Sequence, residues 1–118
     1  FYNRIAYHAY EGIANDLDER KRLVSNLGNF GAMILKNHGL LTVGRSIAEA
    51  FSLMRYLQRA CEIQIAAQST GEISLPSKKV CEKVALQFDK QDINQYANDS
   101  AWDAYKRMLI LKDDSFLY

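Results

Sequence analysis

The stretch Gly31-Ala32-Met33-Ile34-Leu35-Lys36-Asn37-His38-Gly39-Leu40-Leu41-Thr42-Val43-Gly44 constrains the fold of this chain more than any other. Gly31 to Leu35 is a short, continuous apolar run, the pattern of a buried strand. Leu40 to Val43 is a second such run and ends in the β-favouring pair Thr42 and Val43. The link Asn37-His38-Gly39 is short and carries two residues that tolerate positive φ, which is hairpin chemistry. Gly31–Lys36 and Leu40–Val43 are therefore expected to pair antiparallel, with His38 at the turn and its ring toward a cleft. Ser46 follows, with Glu49 three residues on, the capping-box signature of a helix start. A histidine at such a tip has a fixed backbone and an exposed ring. It suits a metal ligand, and it also suits a turn residue that faces solvent. A metal site needs three or four ligands. His8 lies far away in sequence, and Cys61 and Cys81 are not spaced as a ligand pair.

Around this segment the pattern is mostly helical. Arg4 to Tyr7 reads as a short extended piece. Asp16 and Glu19 form a capping box for a helix from about Leu17 to Leu27, with Gly28 as its C′ residue. The helix opened by Ser46 is expected to be the longest, ending near Gly71. Ile47, Ala50, Phe51, Met54, Leu57 and Cys61 recur on it at helical steps and mark its core face. Gly71 to Pro76 reads as a linker. Ser77 caps a third helix through about Phe88 that buries Val80, Val84 and Cys81. Asp89 to Ser100 is polar and reads as a loop or a weak helix. Ala101 to Leu111 is a last helix, with Trp102, Tyr105, Met108 and Leu109 on one stripe. The charged run Asp16 to Arg22 reads as a solvated helix face. Together these elements predict an α/β domain in which helices flank a mainly antiparallel central sheet.

A chain of 118 residues with 48% hydrophobic side chains can bury one core and fits one domain. Its 15 basic and 14 acidic side chains leave a formal net charge of +1. That balance gives no electrostatic case for nucleic acid or an anionic membrane as the main partner. No apolar run reaches the length of a membrane span, and no signal-peptide pattern opens the chain. Two cysteines are too few for a secreted disulfide framework, so both are expected to be reduced thiols in a cytoplasmic protein. The chain opens on Phe1 and not on Met, which suits a trimmed product.

A second constellation lies upstream. His8 stands with Tyr7, Tyr10 and Glu11, and imidazole, phenol and carboxylate can all move protons. The competing reading is a strand whose aromatic residues pack and whose polar ones face out. Gly28 to Gly31 lacks the Lys-Ser/Thr ending of a phosphate loop, and the seven tyrosines do not form a stacking platform with basic interleaving.

Taken in order, Tyr7-His8-Ala9-Tyr10-Glu11-Gly12, the hairpin from Ala32 to Gly44, Ala48-Glu49-Ala50-Phe51, Ala60-Cys61-Glu62-Ile63-Gln64 and Trp102-Asp103-Ala104-Tyr105-Lys106-Arg107-Met108-Leu109 resemble the class II aldolase/adducin family. The resemblance runs over nearly the whole chain and covers the C-terminal portion of that family's domain, residues 1–118 here. It implies a zinc-dependent lyase that cleaves or epimerises a sugar phosphate or related carbonyl substrate through a metal-stabilised enediolate. It implies a homo-oligomer, commonly a tetramer. It also matches His38 to the family's third metal-ligand histidine. The family's His-x-His pair and catalytic glutamate lie before the matched segment, and no His-x-His occurs here. One imidazole is therefore expected to hold zinc only weakly, and this piece alone is expected to be inactive. In the family, the segment around His8 lies near the substrate, which makes His8 a candidate catalytic residue. Adducin keeps the same domain as a structural module and does not use it as an enzyme, so a non-catalytic, adducin-like role is the alternative.

Overall fold

The computed structural model describes residues 1–12, 17–90 and 93–117. In chain order the elements are β1 (Ala6–His8), α1 (Leu17–Leu27), β2 (Ala32–Leu35), β3 (Gly39–Thr42), α2 (Ile47–Gln68), α3 (Lys78–Lys90) and α4 (Ile93–Lys112), followed by a 3₁₀ turn at Ser115–Leu117. The class is α/β, as the sequence predicts. The sheet has the order β1-β2-β3. β2 and β3 pair antiparallel with Leu35 opposite Gly39, as expected for the hairpin. β1 instead pairs parallel to β2, with Ala6 opposite Met33 and His8 opposite Leu35. Among the described residues the sheet thus combines one antiparallel pairing with one parallel pairing. The reason is the α1 crossover, which brings the chain back beside β1 running in its original direction.

Strand alternation divides the sheet into two faces. Ala6, His8, Met33 and Leu35 share one of them by register. α1 covers this face, because Asn26 on α1 meets the His8 ring at 2.8 Å. Ala32 and Thr42 share the other face. α2 covers that side, since the Thr42 hydroxyl donates to the Ala50 carbonyl at 2.8 Å. Met33, on the α1 face of β2, and Leu57, on α2, are the largest fully buried side chains and mark where the core sits, on the two sides of the sheet. Gly44 is where the approach of α2 is tightest. A Cβ there would come within 2.7 Å of the Ala50 backbone nitrogen, so only glycine lets the helix start this close to β3.

Local chemistry explains the helix ends. Gly28, at φ 56°, occupies the left-handed C′ position and closes α1. The expected Asp16 cap lies outside the described residues. Ser46 caps α2 by accepting from the Glu49 N–H at 3.2 Å. The Glu49 carboxylate reaches back one residue further than in a standard capping box, to the Arg45 N–H at 2.7 Å.

Several burial expectations are corrected. Ile47 is 75% exposed, because the helix start points it away from the sheet, and Ala48, Ser52 and Leu57 carry the buried side of α2. On α3 the inward side holds Cys81, Glu82 and Ala85, while Val80 and Val84 are exposed. Arg4 meets this side of the helix. It lies just before β1, binds Asp89 through two nitrogens and stands 3.5 Å from Glu82. Of the two readings for Asp89–Ser100, a loop or a weak helix, the described residues take the helix. α3 continues to Lys90 and α4 begins at Ile93. Once its C-terminal turns are formed, each further residue of a helix costs little to add. Trp102 and Tyr105 pack edge-on against Phe51 at 5.0 and 5.5 Å, whereas Met108 and Leu109 stay exposed.

Candidate active site

The β2–β3 turn spans residues 36–38, and His38 donates its backbone N–H to the Leu35 carbonyl at 3.0 Å. Asn37 takes a φ of 56°, a conformation that asparagine tolerates better than most residues. The turn lifts the His38 side chain clear of the sheet and leaves it exposed. Parallel pairing then brings the end of β1 to the same place. The Lys36 N–H donates to the His8 carbonyl at 2.9 Å, which fixes residues 8–12 beside the hairpin tip. The Tyr10 ring comes to 6.1 Å from the His38 ring, centroid to centroid.

Between these pieces lies a small cleft of about 60 Å³ bordered by His8, Tyr10, Glu11, Glu19, Lys36 and His38. Topology thus brings together both histidines expected from the sequence, although they stand thirty residues apart. Their environments differ sharply. His38 faces solvent, while His8 is only 3% exposed. The competing packing reading of the His8 strand is inverted, since Tyr7 and Tyr10 are each 56% exposed and the histidine is inside.

The His8 ring is surrounded by polar groups. Its Nδ1 lies 2.8 Å from the Asn26 side-chain amide nitrogen. In that orientation the amide donates, Nδ1 accepts and Nε2 carries the proton; flipping the amide reverses the assignment. Nε2 is buried without a hydrogen-bond partner. It points between two carboxylates, 3.6 Å from Glu11 Oε1 and 3.8 Å from Glu19 Oε1. Glu11 is gripped from α1 by the Arg22 guanidinium through Nε and Nη2.

Glu19, Asn26 and Arg22 are the participants that the sequence reading missed. Glu19 was expected on a solvated face, yet it is 6% exposed. The signal was present. Glu19, Leu23, Asn26 and Leu27 lie at helical steps on one stripe of α1, so Glu19 occupies an inward position. A wider, open hollow on α3, lined by Lys79, Glu82, Lys83, Leu86 and Gln87, lies away from this chemistry and collects no converging groups. Among the described residues no group of three or more His, Cys, Asp and Glu side chains is arranged to hold a metal ion. His38 can act as one ligand of a larger set, through an exposed ring nitrogen. Among the described residues no helix is long and apolar enough to cross a membrane.

Comparison with known proteins fits this geometry. The sequence profile of the class II aldolase and adducin N-terminal domain matches residues 1–65, which carry both histidines. A Pseudomonas aeruginosa protein named after the class 2 aldolases is 55% identical over 67 residues, which is 57% of this chain and 26% of that protein. Alpha-adducin of Rattus norvegicus is 47% identical over 62 residues, 52% of this chain and 8% of adducin. The crystal structure of an aldolase II superfamily protein from Pseudomonas syringae superposes with a TM-score of 0.85 at 46% identity, covering 95% of this chain and 45% of the other. The chain thus spans about a quarter of the Pseudomonas aeruginosa relative's length. With the profile match covering more than half of its length, the chain belongs to the class II aldolase and adducin family.

Proposed function

We propose that this chain is the C-terminal portion of the domain of a metal-dependent, class II aldolase-like lyase, and that His38 is one of its metal ligands. The observation that carries the reading is the exposed imidazole at the hairpin tip, opening onto a cleft that also holds His8, Tyr10 and two carboxylates. A divalent ion, zinc in this reading, fits an imidazole donor of this kind and supplies Lewis-acid polarisation of a substrate oxygen. The remaining ligands come from sequence upstream of the match. His38 contributes a ring nitrogen on a rigid turn. Lys36 places a positive charge at the cleft's edge, suited to an anionic substrate such as a sugar phosphate. His8 belongs to the same site. A cytoplasmic homo-oligomer, with apolar helix surface buried between copies, completes the proposal; exposed Met108, Leu109, Ile110 and Leu111 on α4 supply such surface.

The test is His38→Ala in the longer protein that carries the upstream half. Metal content and retro-aldol or epimerase activity should fall together while the fold persists, because an exposed turn side chain contributes little packing. If metal content and activity both stay at the wild-type level, His38 is a turn residue only. The second reading would then gain: a non-catalytic structural module, favoured by the 47% identity to alpha-adducin.

A further inference from the structure

We propose that His8 is a positioning residue of this cleft, one that never touches substrate and that sets the Tyr10 wall against His38. The inference rests on the reading of His38 as the working residue of the site. Its evidence, however, lies in the network around His8.

The ring is closed off on both sides. Nδ1 meets the Asn26 amide at 2.8 Å, and Nε2 is buried and aimed at the Glu11 and Glu19 carboxylates. With 3% of its surface exposed, the imidazole has no free edge to offer a substrate or an ion in the cleft. Three pieces of the fold meet at this ring. Its own backbone carbonyl is hydrogen-bonded to Lys36, two residues before His38. Asn26 and Glu19 approach from α1, seven residues and so about two turns apart on one helix face. Glu11 approaches from the segment that follows β1.

That segment needs such an anchor. Residues 9–12 leave the strand ladder after His8 and end at Gly12, whose φ is 103°. Glu11 is held on one side by Arg22 and stands on the other within 3.6 Å of His8 Nε2. Tyr10, between His8 and Glu11 in sequence, is 56% exposed and rests against the His38 ring. An exposed aromatic ring keeps one place only if its flanking residues are fixed. The buried imidazole, held at Nδ1 by the Asn26 amide and flanked at Nε2 by the Glu11 and Glu19 carboxylates, supplies that fixed point, because losing the Asn26 contact would leave a second ring nitrogen buried without a partner.

The experiment reads the Tyr10 and His38 ring signals by NMR in the 118-residue chain. His8→Leu fills the volume and removes both polar ends. It should abolish the Tyr10–His38 ring cross-peaks and shift both sets of ring signals in molecules that remain folded by circular dichroism. His8→Gln, which keeps polar atoms toward Asn26 and the carboxylates, should restore much of the pattern. Trp102→Ala, a loss of packing elsewhere, should leave those signals unmoved. Should His8→Leu fail to fold, Asn26→Ala and Glu19→Gln decide the matter, each shifting the same signals by a smaller amount. Unchanged Tyr10 and His38 signals in every folded variant of this network would overturn the proposal. That outcome is independent of metal binding by His38, so the positioning role and the metal-ligand reading fail separately.

Discussion

The sheet region, up to the end of α2, and the helical region after it are held together in different ways. Among the described residues, the first region buries Ala6, Ala32, Met33, Ala48 and Leu57, whereas α3 and α4 together bury Ala85. Val80, Val84, Leu86 and Phe88 on α3 and Met108 to Leu111 on α4 are exposed. A sheet fixes each side chain twice, by strand register and by the helix laid over it. Among the described residues, α4 packs on α2 through the Trp102 and Tyr105 rings against Phe51 and through Arg55 over Tyr105 at 4.6 Å, and α3 is tied to the start of β1 by the Arg4 ion pairs. The candidate site lies wholly in the first region, where register can place groups from distant parts of the sequence side by side.

The comparison is broken most directly at Leu57, which is 0% exposed. Leu57→Ala should destabilise the chain by about 2–5 kcal/mol, as full truncation of a buried leucine does. Denaturant unfolding measures it. The helical region should unfold in the same transition as the sheet, because its anchor residues Phe51 and Arg55 lie on the same helix as Leu57. If the signals of α3 and α4 outlast those of the hairpin, the helical region has a core of its own and the contrast drawn above is wrong.

What the sequence shows follows the same division. The hairpin, the His38 turn, α1 with its Gly28 stop and the Ser46 cap were all legible, because each rests on local chemistry within a few residues. The parallel pairing of β1 was not legible from pattern, since β1 has only three residues and its direction is set by α1 crossing over. His8 was read as a site residue, but its burial was hidden by the aromatic residues beside it, which looked like better core. Glu19 was hidden by its charged neighbours. The stripe with Leu23 and Leu27 pointed inward all the same. On α3, Val80 and Val84 looked like the core side. Arg4, more than seventy residues away, reaches Glu82 on the inward side of the helix, where Ala85 is buried. Long-range ion pairs of this kind leave no periodic trace in a sequence.

A smaller effect is expected at Trp102, half-buried against Phe51. Trp102→Ala removes an edge-on aromatic pair and part of the indole's burial. The cost should be roughly 1–2 kcal/mol, below that of a fully buried ring. Amide hydrogen exchange sharpens the comparison here. Exchange in α4 should accelerate, while the amides of β2 and β3 keep their protection. Equal acceleration in both regions would mean that α4 braces the sheet instead of hanging from α2.

The smallest effect belongs to the Arg4–Asp89 pair, which ties α3 to the start of β1. Hydrogen bonds from Arg4, with its charge adding to them, hold the Asp89 carboxyl below its ordinary value of 3.8. Asp89 in turn raises the Arg4 guanidinium. The pair is exposed, so its worth is reduced by solvent and salt. Because the folded-state value of Asp89 is the lower one, the unfolded chain takes up protons first on acidification. The pair's contribution is therefore complete above the ordinary aspartate range and is lost as pH falls through the folded-state value. Asp89→Asn should melt slightly below the wild-type chain at about pH 7, and the gap should begin to narrow near about pH 4 and close below the folded-state value. Added salt at neutral pH should narrow the same gap. α3 amides should exchange faster in the variant than in wild type, with β1 unaffected. A gap that persists unchanged into strong acid would show that shape and not charge fastens α3, and that the two regions differ less in their bonding than the exposed ion pairs imply.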